Sequence, residues 1–449
     1  MHHDNEFITN LCGEFLKNNT INPALFDKFE VKRGLRNADG SGVMAGITNI
    51  CNVHGYVINE GERQPIDGEL VYRGYNVNDI VGGVMDEQRY GFEEVVYLLL
   101  FGTLPDASSL ERFSSLLAEY RELPQGFSED VLLKTPSPDI MNKLASSVLA
   151  MYPFDDAPED MSMESEIRRA LKLIAVLPAI MVGAYQVKRR VYDRESMFMH
   201  PVRAEENLAQ SILSTLRNDR AYTEEEAKLL DLCLLLHAEH GGGNNSTFSC
   251  RVLTSTGTDA YAAYAGAIGS LKGPRHGGAN IKVMGMLEQV KNGVKNWEDE
   301  CEVANFLRKL LRGEEGDGSG LIYGMGHAIY TLSDPRAIIL KKNAMELARG
   351  KEIEAEFRLL QTIERLSPEL FVEHKGGSKQ ICANVDMYSG LVYRMLGIPS
   401  ELFTPMFAVA RMPGWCAHRL EEILTGKRII RPAYKAVAKG RRYAPLAAR

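Results

Sequence analysis

HAEHGGGNNSTFSCRVLTSTGTDAYAAYAGAIGSLKGPRHGGAN, residues 237–280, is the stretch from which the rest of the chain can be read. The apolar run Leu229–Leu236 before it predicts a helix that delivers His237 and His240. A glycine-rich turn then breaks that helix, and Asn244, Asn245, Ser246 and Thr247 suit the cap of the next one. A helix of small residues, Tyr261 to Leu271, follows and closes on Gly273-Pro274-Arg275-His276-Gly277-Gly278. His276 therefore falls in a glycine-flanked turn just before another helix begins near Ala279. A helix start presents free N–H groups and partial positive charge, which favours an anion and disfavours a protonated imidazole nearby. Polar groups at helix ends among small side chains mark this stretch as the core of an active site.

Outward from it, helical periodicity dominates the chain. Phe92–Phe101, Ser108–Arg121, Asp139–Met151, Ser162–Lys188, Glu206–Leu216 and Thr223–His240 read as helices before the central stretch. Asn296–Arg312, Pro335–Arg349, Lys351–Leu366, Ile381–Leu396 and Pro405–Leu424 read as helices after it. Only residues 41–80 look β-like: Ile47–Asn59 mixes Val, Ile and Tyr with turn formers, and Gly68–Tyr75 reads as a short strand and turn. The more charged, glycine-interrupted helices from Ala279 to about Ile381 suggest a second, smaller domain inserted in the first.

Composition narrows the function classes. A chain of 449 residues with 45% apolar and 25% charged residues can bury a sizeable core. A net charge of −7 argues against a general nucleic-acid footprint. The seven cysteines are dispersed with no C-x-x-C pair, which suggests reduced thiols and a cytoplasmic location. MHHDNEFITN carries acids and no Arg-rich or apolar targeting segment. Leu173–Tyr185 is only 13 residues without a charge, short of the ~18–20 a membrane span needs, so it is expected to be a core helix. His237-x-x-His240 lacks further ligands at zinc spacing, and His237 reads as a packed structural residue. Cys250 and Cys382 read as buried, unactivated thiols.

LHAEHGGGNNST, GPRHGGAN, GMGHAIYTLSDPRA, ANVDMYSG, FAVARMPGWCAH and IIRPAY occur in that order between about Arg33 and Tyr434. Together they resemble citrate synthase. The resemblance implies an all-α fold with short β elements near the N-terminus, built as a large domain (1–276), a small domain (277–385) and a return to the large domain with a C-terminal tail (386–449). It also implies a homodimer in the tricarboxylic acid cycle that condenses acetyl-CoA, as a substrate, with oxaloacetate. Neither metal nor redox cofactor is implied, nor any nucleic-acid or membrane partner.

Carried over residue by residue, Asp386 matches the base that takes the methyl proton. An ordinary Asp, near pKa ~3.9, is poorly matched to a carbon acid, so the enol oxygen must be stabilised at the same time. His276 matches that stabiliser, and His327 matches the histidine that polarises the ketone. Arg336, Arg411 and Arg431 match three carboxylate-binding arginines, suited by their bidentate forks, with Arg431 expected from the partner subunit. His240 matches a further oxaloacetate contact. The sequence departs from the family at Gly241-Gly242-Gly243, where relatives commonly place a Glu first, and at Tyr330–Ser333, which lacks the usual base. The CoA phosphates then fall to Arg275, Lys282, Lys341 and Lys342 as candidates. A related activity, with propionyl-CoA giving 2-methylcitrate, uses the same residues, because one methylene is worth only about 1–3 kcal/mol in a pocket. A non-catalytic carboxylate- or CoA-binding scaffold is the remote alternative.

Overall fold

Helix follows helix through most of the chain. The computed structural model describes residues 2–37, 40–60, 62–376 and 380–448. By internal contacts the chain divides into residues 1–47 and 48–449. The first unit holds α1 (His2–Asn18), α2 (Ala24–Lys28) and a bridge from Arg36 to Gly42. Phe7, Ile8, Leu11 and Phe15 of α1 are exposed.

The second unit opens with a three-stranded antiparallel sheet, β1 (Cys51–Asn59), β2 (Glu62–Tyr72) and β3 (Tyr75–Asn76). Helices α3 (Val77–Asp86), α4 (Phe92–Phe101), α5 (Ala107–Glu119), α6 (Ile140–Ala150), α7 (Met163–Lys188) and α8 (Leu208–Leu216) follow. Next come α9 (Glu224–His237), α10 (Asn245–Thr254), α11 (Ala260–Lys272), α12 (Ala279–Gly293) and α13 (Glu300–Arg312). The last four are α14 (Pro335–Ala348), α15 (Glu354–Lys375), α16 (Asp386–Met395) and α17 (Phe403–Thr425).

Two helices form the axis of the core. In α9, Leu229 to Leu236 are buried on every face, the pattern of a fully enclosed helix. Its start is set by a capping box: Thr223 Oγ1 accepts from Glu226 N–H at 3.2 Å, and Glu226 Oε2 accepts from Thr223 N–H at 3.0 Å. In α17, every residue from Phe403 to Leu420 is buried. Of the buried charges on this helix, Arg419 is satisfied internally, bidentately by Glu166 of α7, at 2.8 and 2.9 Å. Helix α7 is long and apolar enough to cross a membrane, yet 83% of its most apolar window is buried inside the protein, as a core helix requires.

The hairpin β1–β2 matters because the segment that carries His327 and Tyr330 lies against it. Gly68 N–H donates to Ser333 Oγ at 3.1 Å, and Ser333 Oγ donates to Asp67 Oδ1 at 2.8 Å. A Cβ on Gly68 would stand 2.2 Å from Ser333 O and 2.6 Å from the Tyr330 ring. Gly68→Ala is expected to cost about 1–3 kcal/mol by overpacking, read as a lower urea midpoint with an unchanged m-value. A parental midpoint would mean that this segment does not pack so closely in solution.

Candidate active site

His237, expected to be structural, ends α9 with its Nδ1 2.7 Å from Cys233 O and its ring against Phe407. Burial pushes its pKa down to about 3. The expected helix to His240 stops at His237, because Tyr72 OH reaches the carbonyls of Leu235, Leu236 and Glu239 and closes the C-terminus there. His240 thus stands in the turn beyond the helix, followed by Gly241 at φ +87°. Its Nε2 lies 3.3 Å from Tyr330 OH, and its ring meets the His327 ring edge-on at 5.1 Å. Burial, with Arg336, His327 and Arg411 close by, holds His240 well below the usual imidazole range.

His327 is placed by an antiparallel clip. Gly326 N–H donates to Cys382 O at 2.7 Å, Asn384 N–H to Gly324 O at 2.9 Å, and Asn384 Nδ2 to Gly326 O at 2.8 Å. Gly324 turns at φ +82°, and a Cβ there would stand 2.9 Å from Met387 Cα. The same clip ties the segment that carries His327 to the one that leads into Asp386. Ile329 N–H and Tyr330 N–H both donate to His327 Nδ1 at 3.1 Å. That nitrogen is therefore an acceptor, which assigns the proton of the neutral ring to Nε2.

Asp386 opens α16, with its N–H donated to Asn384 Oδ1 at 3.0 Å. Among the described residues its carboxylate makes no hydrogen bond. Burial pushes its pKa up to about 6, with Arg336 and Arg411 opposing. The sequence offered no sign of this shift, which moves the carboxyl toward the range useful to a base at neutral pH.

The two buried arginines are held differently. Arg336 is bound at Nε and Nη2 by Asp334, at 3.1 and 2.8 Å, and Asp334 also caps α14. Burial works against its charge, but Asp334 outweighs it and raises the pKa. Arg411 of α17 donates Nε to His237 O at 2.7 Å and lies over the Phe407 ring at 4.9 Å. Its Nη1 and Nη2 are buried and make no hydrogen bond among the described residues. An open, desolvated fork of this kind fits a carboxylate.

His276 sits in the turn before α12, its Nε2 3.1 Å from Ser246 Oγ and 3.4 Å from Ser246 N. Ser246 Oγ accepts from Trp415 Nε1 at 3.1 Å and donates to Asn244 Oδ1 at 2.9 Å. Asn244 thus holds Ser246 rather than capping α10 with its side chain, a correction to the sequence reading. The pKa of His276 falls to about 4, in the expected direction but from burial first and Arg411 second.

Arg431 does not join this group within the single chain. It lies exposed in the tail, where Ile430 N–H donates to Ser255 Oγ at 3.0 Å. Of the CoA candidates, Arg275 and Lys342 are exposed, Lys282 pairs with Asp317 at 3.1 Å, and Lys341 pairs with Glu364 at 2.8 Å. A cavity of 250 Å³ adjoins His327 and Tyr330 and is also lined by Gly326, Thr331, Gln380 and Ile381. A separate cavity of 370 Å³, lined by Arg121, Phe198 and His200, contains none of these groups. Cys250 and Cys382 are buried, and burial pushes both thiols up to about 12. Tyr330, Asp334, Ser246 and Glu239 all lie inside the motifs GMGHAIYTLSDPRA and LHAEHGGGNNST, yet only tertiary contacts give them their roles at the site.

Residues 38–433 match the family model for the citrate synthase C-terminal domain. The chain belongs to the citrate synthase family. It is 35% identical to the citrate synthase of a Synechocystis species, over 92% of each chain. It is 33% identical to the 2-methylcitrate synthase of Shewanella oneidensis, over 81% of this chain and 87% of that one. The crystal structure of Thermotoga maritima citrate synthase superposes with a TM-score of 0.72 at 30% identity, covering 93% of this chain and 99% of that one. The Thermoplasma acidophilum citrate synthase, in a ternary complex with carboxymethyl coenzyme A and oxaloacetate, superposes with a TM-score of 0.74 at 26% identity, covering 93% and 99%. The all-α reading and the family resemblance are borne out, and membership makes the chain an acyltransferase.

Proposed function

We propose that this citrate synthase homologue condenses acetyl-CoA with oxaloacetate through Asp386, His276 and His327. The observation that carries this reading is the unpaired, partly buried Asp386 carboxylate, raised to about 6 in the field of two buried guanidinium groups and following directly on the segment clipped to that of His327. Asp386 takes a methyl proton from the thioester while neutral His276 donates a hydrogen bond to the oxygen that becomes the enol oxygen. The enol carbon then attacks the oxaloacetate ketone, whose oxygen receives the proton of His327 Nε2. Water hydrolyses the citryl thioester, releasing citrate and CoA as a thiol. Arg411 and Arg336 bind the carboxylates beside His240.

In the same reading, residues 277–385 act as a small domain that closes on residues 1–276 and 386–449 once oxaloacetate is bound, excluding water. Arg431 completes a neighbour's site in a cytoplasmic homodimer of the tricarboxylic acid cycle. That assignment suits an exposed Arg that makes no contact with the site of its own chain. The scheme uses no metal and no redox cofactor. Arg275, Lys282, Lys341 and Lys342 remain the candidates for CoA phosphates.

A thiol-release assay with oxaloacetate tests the reaction and its substrate together. Acetyl-CoA is expected to be preferred over propionyl-CoA by about 10-fold or more in kcat/KM. Preference for propionyl-CoA would assign 2-methylcitrate synthesis, the reading that the Shewanella oneidensis relative keeps open. Silence with both thioesters would reject the catalytic reading.

A further inference from the structure

Behind the oxaloacetate residues lies a buried chain that the reaction scheme does not use. Glu239, between Ala238 and His240, is fully buried and turns its carboxylate to α17, where Oε1 lies 3.1 Å from His418 Nε2. The other face of that imidazole is occupied by Arg251 of α10, whose Nε donates to His418 Nδ1 at 3.0 Å. Nδ1 is thus an acceptor, and the ring donates its Nε2 proton to Glu239. Arg251 is anchored in turn by Glu421 and by Glu422, the latter at 2.9 Å.

Two orphaned groups give the chain its meaning. Glu239 Oε2 and Arg411 Nη1 and Nη2 are all buried without a hydrogen-bond partner among the described residues. Glu239 and Arg411 nevertheless feel each other's charge, each favouring the ionised form of the other. Burial alone would raise the Glu239 pKa; His418 and Arg411 outweigh it and hold it below the usual range. A free carboxylate beside an open guanidinium fork would close on it, as Asp334 does on Arg336. Here His418 holds one oxygen away. Gly414 leaves the room this takes: a Cβ there would stand 2.2 Å from Glu239 Oε2.

We propose that His418 and Arg251 are positioning residues that tether Glu239 as the counter-charge of Arg411 while keeping the Arg411 fork open for a substrate carboxylate. The inference rests on the reading that Arg411 binds oxaloacetate. Oxaloacetate affinity then depends on a histidine that touches no substrate.

Steady-state kinetics of His418→Phe and His418→Gln test it. Phe keeps the bulk of the ring but neither hydrogen bond, whereas Gln can donate to Glu239 and accept from Arg251. His418→Phe is expected to raise the oxaloacetate KM about 10-fold or more, with the acetyl-CoA KM and kcat within about 3-fold of the parent. His418→Gln should stay within about 3-fold throughout, and adding Glu239→Gln to His418→Phe should restore much of the oxaloacetate KM, because no carboxylate remains to close the fork. A parental oxaloacetate KM in folded His418→Phe, an equal loss in Phe and Gln variants, or no relief in the double variant would each overturn the proposal. If His418→Phe fails to fold, Arg251→Gln cuts the chain at the other nitrogen, and a parental oxaloacetate KM there overturns it equally. A parent that does not turn over oxaloacetate would instead reject the functional reading beneath it.

Discussion

Asp386→Asn is expected to lower kcat by about 10²–10⁴-fold, the usual worth of a positioned general base, while making the protein more stable at neutral pH. Both effects come from one geometry. Burial raises the Asp386 pKa to about 6, so the ionised carboxylate that the reaction needs is the form the fold disfavours. Between the unfolded value of about 3.9 and the folded value, the native chain keeps a proton that the unfolded chain has released. The cost of the charge therefore grows as pH rises from about 4 to 6 and is fully present above that. Asp386→Asn should gain about 1–3 kcal/mol at pH 7–8 and nothing near pH 3. In the parent, turnover should fall on acidification through about 6, as the base takes up its proton. Thermal unfolding at the two pH values, with turnover measured alongside, checks both. An Asn variant with parental turnover would remove Asp386 from the mechanism, and a stability gain that persisted at low pH would remove the buried charge as its cause.

Arg411→Leu is expected to raise the oxaloacetate KM by about 10²–10³-fold, since losing one partner of a buried charged contact costs about 2–5 kcal/mol. The acetyl-CoA KM should move far less. Arg411→Lys separates charge from shape, because an ammonium restores the cation but not the two parallel donors. It should recover only part of the loss. Equal oxaloacetate KM values in parent and Leu variant would mean that the open Nη pair serves some other carboxylate than the substrate's.

Much of this was legible in the sequence because it depends on local order. The run Phe92–Phe101 was read as a helix and is one, bounded by glycines on both sides. The turn holding His276 before Ala279 was legible for the same reason, since glycine spacing dictates where a backbone can turn. Where the reading slipped, a distant group had intervened. Periodicity carried the helix of His237 on to His240, but Tyr72 closes it early from a strand more than 160 residues away. Asn244 has the composition of a cap, yet the hydroxyl of Ser246, itself engaged by Trp415, claims its side chain.

The sequence by itself determined the helical class, the family through its ordered motifs, and which residue types could supply a base, two neutral imidazoles and a carboxylate fork. Tertiary structure alone decided their states. Asp386 becomes a fitting base only through burial, and His240 falls well below the usual imidazole range only through burial and the charges of Arg336, His327 and Arg411 around it. Glu239 meets His418 across 179 residues of chain, and Arg251 meets it across 167. Local order follows from backbone sterics and side-chain spacing over a few residues. Desolvation and charge coupling depend on what surrounds a group in space, and no window of sequence contains that.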